Sequence, residues 1–235
     1  MEKSIKNQEK IEIVLSNRLL TPLQPLLNKR SILLDEISNN DETVLTRANT
    51  LVSSVWEHVS ENLLYQLPNI KKVYNFAIGT DNIDFEYLKT KNIECSHLSS
   101  FGSEDTAELA IALMLAISRN LIHNHNYVLN QNWIHSNQIP FGHSLIKKKC
   151  GILGLGNVGS ACAKRAEALG MQILYHSRTK KNVPYSYCDT AIKLAEKVDY
   201  LILCCSSNKE THQIVDREML VALGRDGYLI NVSRG

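Results

Sequence analysis

Residues 150–176 read CGILGLGNVGSACAKRAEALGMQILYH, and this stretch decides the fold. An apolar run, CGILGL, leads into a turn with glycines at 154, 156 and 159. A helical pattern follows over Ser160–Leu169, then a second apolar strand over Met171–His176. Strand, glycine-rich turn, helix and strand in that order form a βαβ unit, the context in which GxGxxG is a dinucleotide-binding fingerprint. Gly154 permits the tight turn, Gly156 lets a pyrophosphate approach the backbone, and Gly159 lets helix and strand pack closely. The amides at Asn157 and Val158, at the positive end of the helix, are placed to meet the diphosphate.

The end of the second strand selects the dinucleotide. A site for NAD places an acid about 20 residues past the fingerprint, bonded to the ribose 2′-hydroxyl. Here the chain reads HSRTKK over residues 176–181. Ser177 stands where the acid is expected, and Arg178 follows it. A serine removes the charge that would repel a 2′-phosphate, and an arginine can grip that phosphate through two parallel bonds. Lys180 and Lys181 add positive charge. The expected cofactor is therefore NADP(H), with NAD(H) as the lesser option.

Outward from the fingerprint the alternation continues. Downstream come a helix near Ala191–Lys197, a strand over Tyr200–Cys205, a helix over Arg217–Leu223 and a strand over Tyr228–Val232. That last strand runs into Ser233 and Arg234, and the C-terminal end of a parallel strand is where such folds bind ligands. Upstream, strands are expected at Ile11–Leu15, Ser31–Leu34, Thr50–Val55, Lys72–Phe76 and Ile93–Ser96. Helices are expected around Leu23–Asn28, Glu42–Arg47, Ser60–Gln66 and Phe85–Lys91. This βαβα rhythm predicts α/β architecture with parallel sheets covered by helices. Between the two halves, Ser103-Glu104-Asp105 opens a long helix that runs on through AELAIALMLAISRNL. It is apolar almost all round, so it is expected to be buried between domains or subunits. The polar stretch Asn124–Ser144, with Trp133 and Pro140, reads as a connection.

Composition bounds the function. The 235 residues are 44% hydrophobic and 21% charged, with a formal net charge of +2. That leaves no global field to attract nucleic acid. The polar opening MEKSIKNQEK lacks the apolar core of a signal peptide, and the longest apolar run, Leu109 to Ile117, is far short of a membrane span. The six cysteines show no CxxC spacing and mostly sit in apolar stretches, which predicts reduced thiols, a cytosolic setting and no metal site. Cys204 and Cys205 are neighbours on a strand, point to opposite faces and are not expected to bond to each other.

Four separated motifs in order resemble the D-isomer-specific 2-hydroxyacid dehydrogenase family: NFAIGTDNID at 75–84, EDTAELAIALMLAISRNL at 104–121, GILGLGNVG at 151–159 and LINVSRG at 229–235. The string HSRTKK is most similar to plant-type NADPH-dependent hydroxypyruvate and hydroxyphenylpyruvate reductases. The resemblance implies a flavodoxin-like substrate domain over residues 1–98 and a Rossmann doubly wound nucleotide domain over 99–235. It implies reduction of a small 2-oxo acid (hydroxypyruvate, glyoxylate, hydroxyphenylpyruvate) to a D-2-hydroxy acid, in a homodimer. Substrate would meet backbone amides of two loops, Ser54–Glu57 and Ala77–Gly79, with Val55, Trp56, Ile78 and Gly79 the contacts. Arg234 matches the catalytic arginine that grips the substrate carboxylate and carbonyl. Dinucleotide contacts correspond to Leu155–Val158, Ser177–Thr179, Cys205 and Val232–Arg234, with the Ser103 hydroxyl close by.

The chain also departs from the family pattern. The family's catalytic glutamate and histidine lie downstream of the arginine, so the proton donor and the last strands of the nucleotide domain are expected beyond Gly235. The 235 residues as they stand are then expected to lack useful reductase activity. His97-Leu98-Ser99 replaces the usual Asn-Thr-Pro, Ser206-Ser207-Asn208 the usual Pro-Leu-Thr, and Lys147 a usual glycine. The alternative reading is a non-catalytic dinucleotide-binding protein of the corepressor kind, or an inactive truncated fragment.

Overall fold

The computed structural model describes residues 13–16, 31–34, 45–98, 101–133 and 139–234. The chain divides into two compact units, Met1–Phe101 and Gly102–Gly235; the boundary was expected after residue 98. Each unit is built on its own five-stranded parallel sheet.

In the first unit the elements are β1 (Ile13–Leu15), β2 (Ser31–Leu33), β3 (Thr50–Ser53), α1 (Glu61–Tyr65), β4 (Lys72–Asn75), α2 (Phe85–Thr90) and β5 (Glu94–His97). The sheet order is β2-β1-β3-β4-β5, all parallel. This is the flavodoxin-like order, whose direction of winding reverses between β1 and β3. The core gathers Val14, Leu51 and Val73 from the strands with Leu64, Leu67 and Leu88 beside them. β4 alternates, burying Val73 and Asn75 while Lys72 and Tyr74 face out. An inward asparagine in an apolar sheet needs partners, and Asn75 has them. The expected helix Leu23–Asn28, the first two residues of the expected strand Ile11–Leu15 and the first half of the expected helix Glu42–Arg47 lie outside the described residues.

The second unit holds α3 (Ser103–Ser118), α4 (Leu121–Leu129), β6 (Lys149–Leu153), α5 (Asn157–Ala168), β7 (Gln172–His176), β8 (Ser186–Tyr187), α6 (Ala191–Ala195), β9 (Tyr200–Leu203), α7 (Arg217–Leu223) and β10 (Tyr228–Asn231). Its sheet order is β10-β9-β6-β7-β8, again all parallel. All four residues of β9 are buried, the pattern of a parallel strand covered on both faces. Winding reverses between β6 and β9, which places the ligand crevice of the unit at their C-terminal ends.

Several sequence expectations need correction. The long helix does not run through Leu121. It stops at Ser118, Asn120 takes a left-handed backbone (φ 51°), and α4 departs with a bend of 61°. The returning chain fixes this break: the His143 amide takes the Ser118 carbonyl at 2.7 Å, and the Asn120 side chain donates to the carbonyls of Pro140 and Phe141. Part of the expected connection, up to Leu129, is thus helical. Nor is α3 buried all round within this chain. Ala107, Ala110 and Met114 join the core, and Arg165 of α5 pairs with Glu104 at 2.7 Å and Glu108 at 3.3 Å. Leu109, Leu113, Leu115 and Ile117 remain exposed. The helix expected from Ser160 begins at Asn157, because the fingerprint turn feeds directly into it. Strands expected to reach Val55, Phe76, Cys205 and Val232 end one or two residues earlier, where the chain turns off the sheet edge. The short strand β8 was not anticipated.

Candidate functional site

The fingerprint does in three dimensions what its spacing implies. Gly154 has φ +95°, and a Cβ there would lie 2.7 Å from the Cys205 backbone, so the ends of β6 and β9 touch only because this residue is glycine. A Cβ on Gly159 would lie 2.1 Å from the Gly154 carbonyl and 3.0 Å from the Ile152 side chain. At Gly156 a Cβ would meet nothing within 4 Å. Space is therefore kept open on the ligand side of the turn, as a pyrophosphate cradle requires, while the other two glycines are consumed by packing. Gly156 caps α5, so the first amides of the helix, at Asn157 and Val158, stand beside that open space.

A cavity of about 310 Å³ lies at this edge. Its wall brings together Gly154, Leu155, Gly156, Ser177, Arg178, Thr179 and Cys205, all anticipated from sequence. Arg178 is exposed and makes no hydrogen bond or ion pair among the described residues. The Ser177 hydroxyl donates to the Thr179 carbonyl at 2.8 Å. The loop is shaped from below by Tyr175: its hydroxyl donates to the Lys181 carbonyl at 3.1 Å and accepts from the Lys181 amide at 2.9 Å. The Lys181 ammonium reaches the Leu155 carbonyl in the fingerprint turn. Lys181, in the sequence only an added local charge, lines the cavity; its place depends on the Tyr175 contact, which no spacing encodes. Ser206 and Asn208, from the segment that departs from the family's Pro-Leu-Thr, line it as well, and Cys204 and Thr211 do so unannounced.

A second cavity, of about 430 Å³, is lined by Ser233, Arg234, His212 and Asn231 and shares Cys205, Ser206, Thr211 and Ile214 with the first. Arg234 is exposed, at the end of a turn that Asn231 holds: its side chain accepts from the Ser233 amide at 2.9 Å and donates to the Arg234 carbonyl at 2.7 Å. Ser233 donates to the Cys205 carbonyl, tying this turn to the end of β9. Val232 packs against the core and lines neither cavity, as Gly159 does beneath the turn. Ser103 begins α3, is buried, and its hydroxyl has no hydrogen-bond partner.

The Cys204 and Cys205 thiols are held in the protonated form. Cys204 donates to Cys162 across 3.9 Å, and that bond together with burial pushes the Cys204 thiol well up; Cys162 is pulled down by the same bond and by Arg165. Burial likewise raises Cys205. Thiols so raised stay protonated at neutral pH.

In the first unit, Val55 and Trp56 follow β3, and Ile78 and Gly79 follow β4. Val55, Trp56 and Ile78 are exposed. Among the described residues, the amides of Val55, Ile78 and Gly79 donate to no protein acceptor. Two neighbouring loops thus offer unspent donors at the C-terminal ends of parallel strands.

Comparison with known proteins agrees with this geometry. Residues 111–235 match the model of the D-isomer specific 2-hydroxyacid dehydrogenase NAD-binding domain. The glyoxylate/hydroxypyruvate reductase HPR3 of Arabidopsis thaliana is 38% identical over 178 residues, covering 75% of this chain and 55% of that protein. The glyoxylate/hydroxypyruvate reductase HPR2 of the same plant is 36% identical over 233 residues, covering 97% of this chain and 74% of that protein. A solved structure, the NADPH-dependent glyoxylate/hydroxypyruvate reductase of Sinorhizobium meliloti with NADP and malonate, superposes with a TM-score of 0.83 at 27% identity, over 96% of this chain and 72% of that one. The chain therefore spans just over half of one such relative and about three quarters of the others. It belongs to the D-isomer specific 2-hydroxyacid dehydrogenase family, and its second unit carries that family's NAD-binding domain.

Proposed function

We propose that the protein is an NADPH-dependent reductase of small 2-oxo acids, with glyoxylate, hydroxypyruvate and hydroxyphenylpyruvate as candidate substrates and D-2-hydroxy acids as products. The observation that carries the cofactor preference is the cavity wall at Ser177–Thr179: a serine where an acid would exclude a 2′-phosphate, and beside it an exposed arginine. The dinucleotide, when bound, supplies a hydride to the carbonyl carbon. Among the residues of this chain, Gly154, Leu155 and Gly156 with the amides at Asn157 and Val158 hold the diphosphate. Ser103, Cys205, Val232 and Ser233 complete the dinucleotide site. In the second unit Arg234 draws electron density from the carbonyl; in the first unit the unspent amides at Val55, Ile78 and Gly79, with Trp56 beside them, offer donors to a carboxylate. The test is NADPH oxidation by the full-length protein with each of the three acids. Saturable turnover with at least one supports the reading, and none with any of them contradicts it.

Arg178→Ala should weaken NADPH by tenfold or more, the loss of a charge-assisted contact of roughly 1.5–3 kcal/mol, and leave NADH almost unchanged. Fluorescence titration with each cofactor checks this. Equal losses for both would mean that Arg178 does not read the 2′-phosphate.

We also propose a homodimer in a reducing, cytosolic setting. All six cysteines are unbridged. Leu109, Leu121, Ile122, Leu129 and Trp133 on α3, α4 and the segment after them are exposed in the single chain, and large apolar side chains exposed together mark interaction surfaces. Light scattering at micromolar concentration should return twice the chain mass. A monomer mass would rule the dimer out.

A further inference from the structure

The first unit carries a buried polar network at its own topological switch point, between the ends of β1 and β3, and we infer that this network positions the two loops offering the unspent amides. The inference rests on the proposed substrate reading. Asn82 is its centre. It is buried, and its side-chain amide donates to the Ser54 carbonyl and to the Glu57 carbonyl, both at 2.9 Å. Both amide hydrogens are thereby used on the first loop. Asn75, the inward residue of β4, donates to the Gly79 carbonyl at 3.0 Å and to the Asn82 side-chain oxygen at 3.2 Å. The chain of bonds thus runs from the first loop, through Asn82 and Asn75, to the second.

Glu57 closes the network from the other side. Its carboxylate accepts from Ser16, just past β1, at 2.7 Å, and from the Ser54 amide at 2.7 Å and the Ser54 hydroxyl. Burial alone would raise this carboxyl, but the bonds from Ser54 and Ser16 outweigh it and hold it below the usual range. An anion held this way fixes the start of the loop whose next residues are Val55 and Trp56. In a trans peptide the C=O of one residue and the N–H of the next point opposite ways, so the inward Ser54 carbonyl turns the Val55 amide outward, and the inward Gly79 carbonyl anchors the second loop directly after Ile78 and Gly79. Asn75, Asn82 and Glu57 are therefore positioning residues for an anion-binding pair of loops, reaching the substrate through the backbone and not by contact.

Asn82→Asp replaces both donors by an acid of the same shape, and Glu57→Gln keeps the shape while removing the charge. In the full-length protein with saturating NADPH, Asn82→Asp should raise KM for hydroxypyruvate roughly tenfold or more, since two buried acceptors lose their donor. Its kcat and NADPH affinity should change little, and Glu57→Gln should raise KM in the same sense to a smaller extent. A purely structural role would instead lower thermal stability and the active fraction, leaving KM alone. Folded Asn82→Asp with wild-type KM overturns the inference; if that variant does not fold, Glu57→Gln decides on the same criterion. A wild-type protein that shows no saturable response to any 2-oxo acid overturns the substrate reading, and the inference with it.

Discussion

Gly159→Ala should abolish measurable NADPH binding and destabilise the second unit. The added methyl carbon would stand 2.1 Å from the Gly154 carbonyl, well inside any tolerated contact. The obstacle is backbone at a turn that is itself constrained, because Gly154 is wedged against Cys205. The α5 N-terminus must then lift from β6, at a cost of roughly 1–3 kcal/mol or more. Gly156→Ala is the informative partner. Its φ is −84°, and the new carbon meets no protein atom within 4 Å. That variant should melt at the wild-type temperature and still lose the dinucleotide, because the methyl occupies the space of the pyrophosphate. Thermal melts with NADPH titrations separate the two. Wild-type NADPH affinity in Gly156→Ala would show that the diphosphate does not lie on this turn.

Arg234→Ala should lower kcat/KM for hydroxypyruvate by roughly 10²–10³-fold, the usual cost of removing one fixed donor from developing negative charge on oxygen. Dinucleotide affinity should fall much less than turnover, since the turn carrying Arg234 is tied by the Asn231 and Ser233 side chains as well as by the 3.2 Å bond from the guanidinium to the Ser233 carbonyl. Arg234→Lys should recover only part of the loss, because an ammonium cannot make the paired bonds of a guanidinium. Parallel losses in turnover and NADPH binding would assign Arg234 to the cofactor alone.

Much of the second unit was legible because its determinants are local. Three glycines at fixed spacing report a turn, a clearance and a close approach, and all three appear in the backbone. The loop after β7 was legible for the same reason, as a serine and an arginine in the place of an acid. What escaped depends on distant partners. The break at Asn120 is invisible to apolar periodicity, which continues into α4; it arises because Ser118 and Asn120 engage Pro140, Phe141 and His143 of the returning segment. The placement of Lys181 depends on the Tyr175 hydroxyl below it. The Asn75–Asn82–Glu57 network was illegible for a stronger reason. Ser16, Ser54, Asn75 and Asn82 read as unremarkable polar residues until the strand order brings the ends of β1, β3 and β4 together. Only then does a buried asparagine become a brace for two loops.

The most direct test of the central claim, that the second unit holds a nicotinamide dinucleotide with a preference for the 2′-phosphate, is calorimetric titration of the protein with NADPH and NADH separately. The expected result is saturable binding of one NADPH per chain, tighter than NADH by about tenfold or more. Equal or tighter binding of NADH would contradict the reading of Ser177 and Arg178, and no binding of either would contradict the assignment of the cavity.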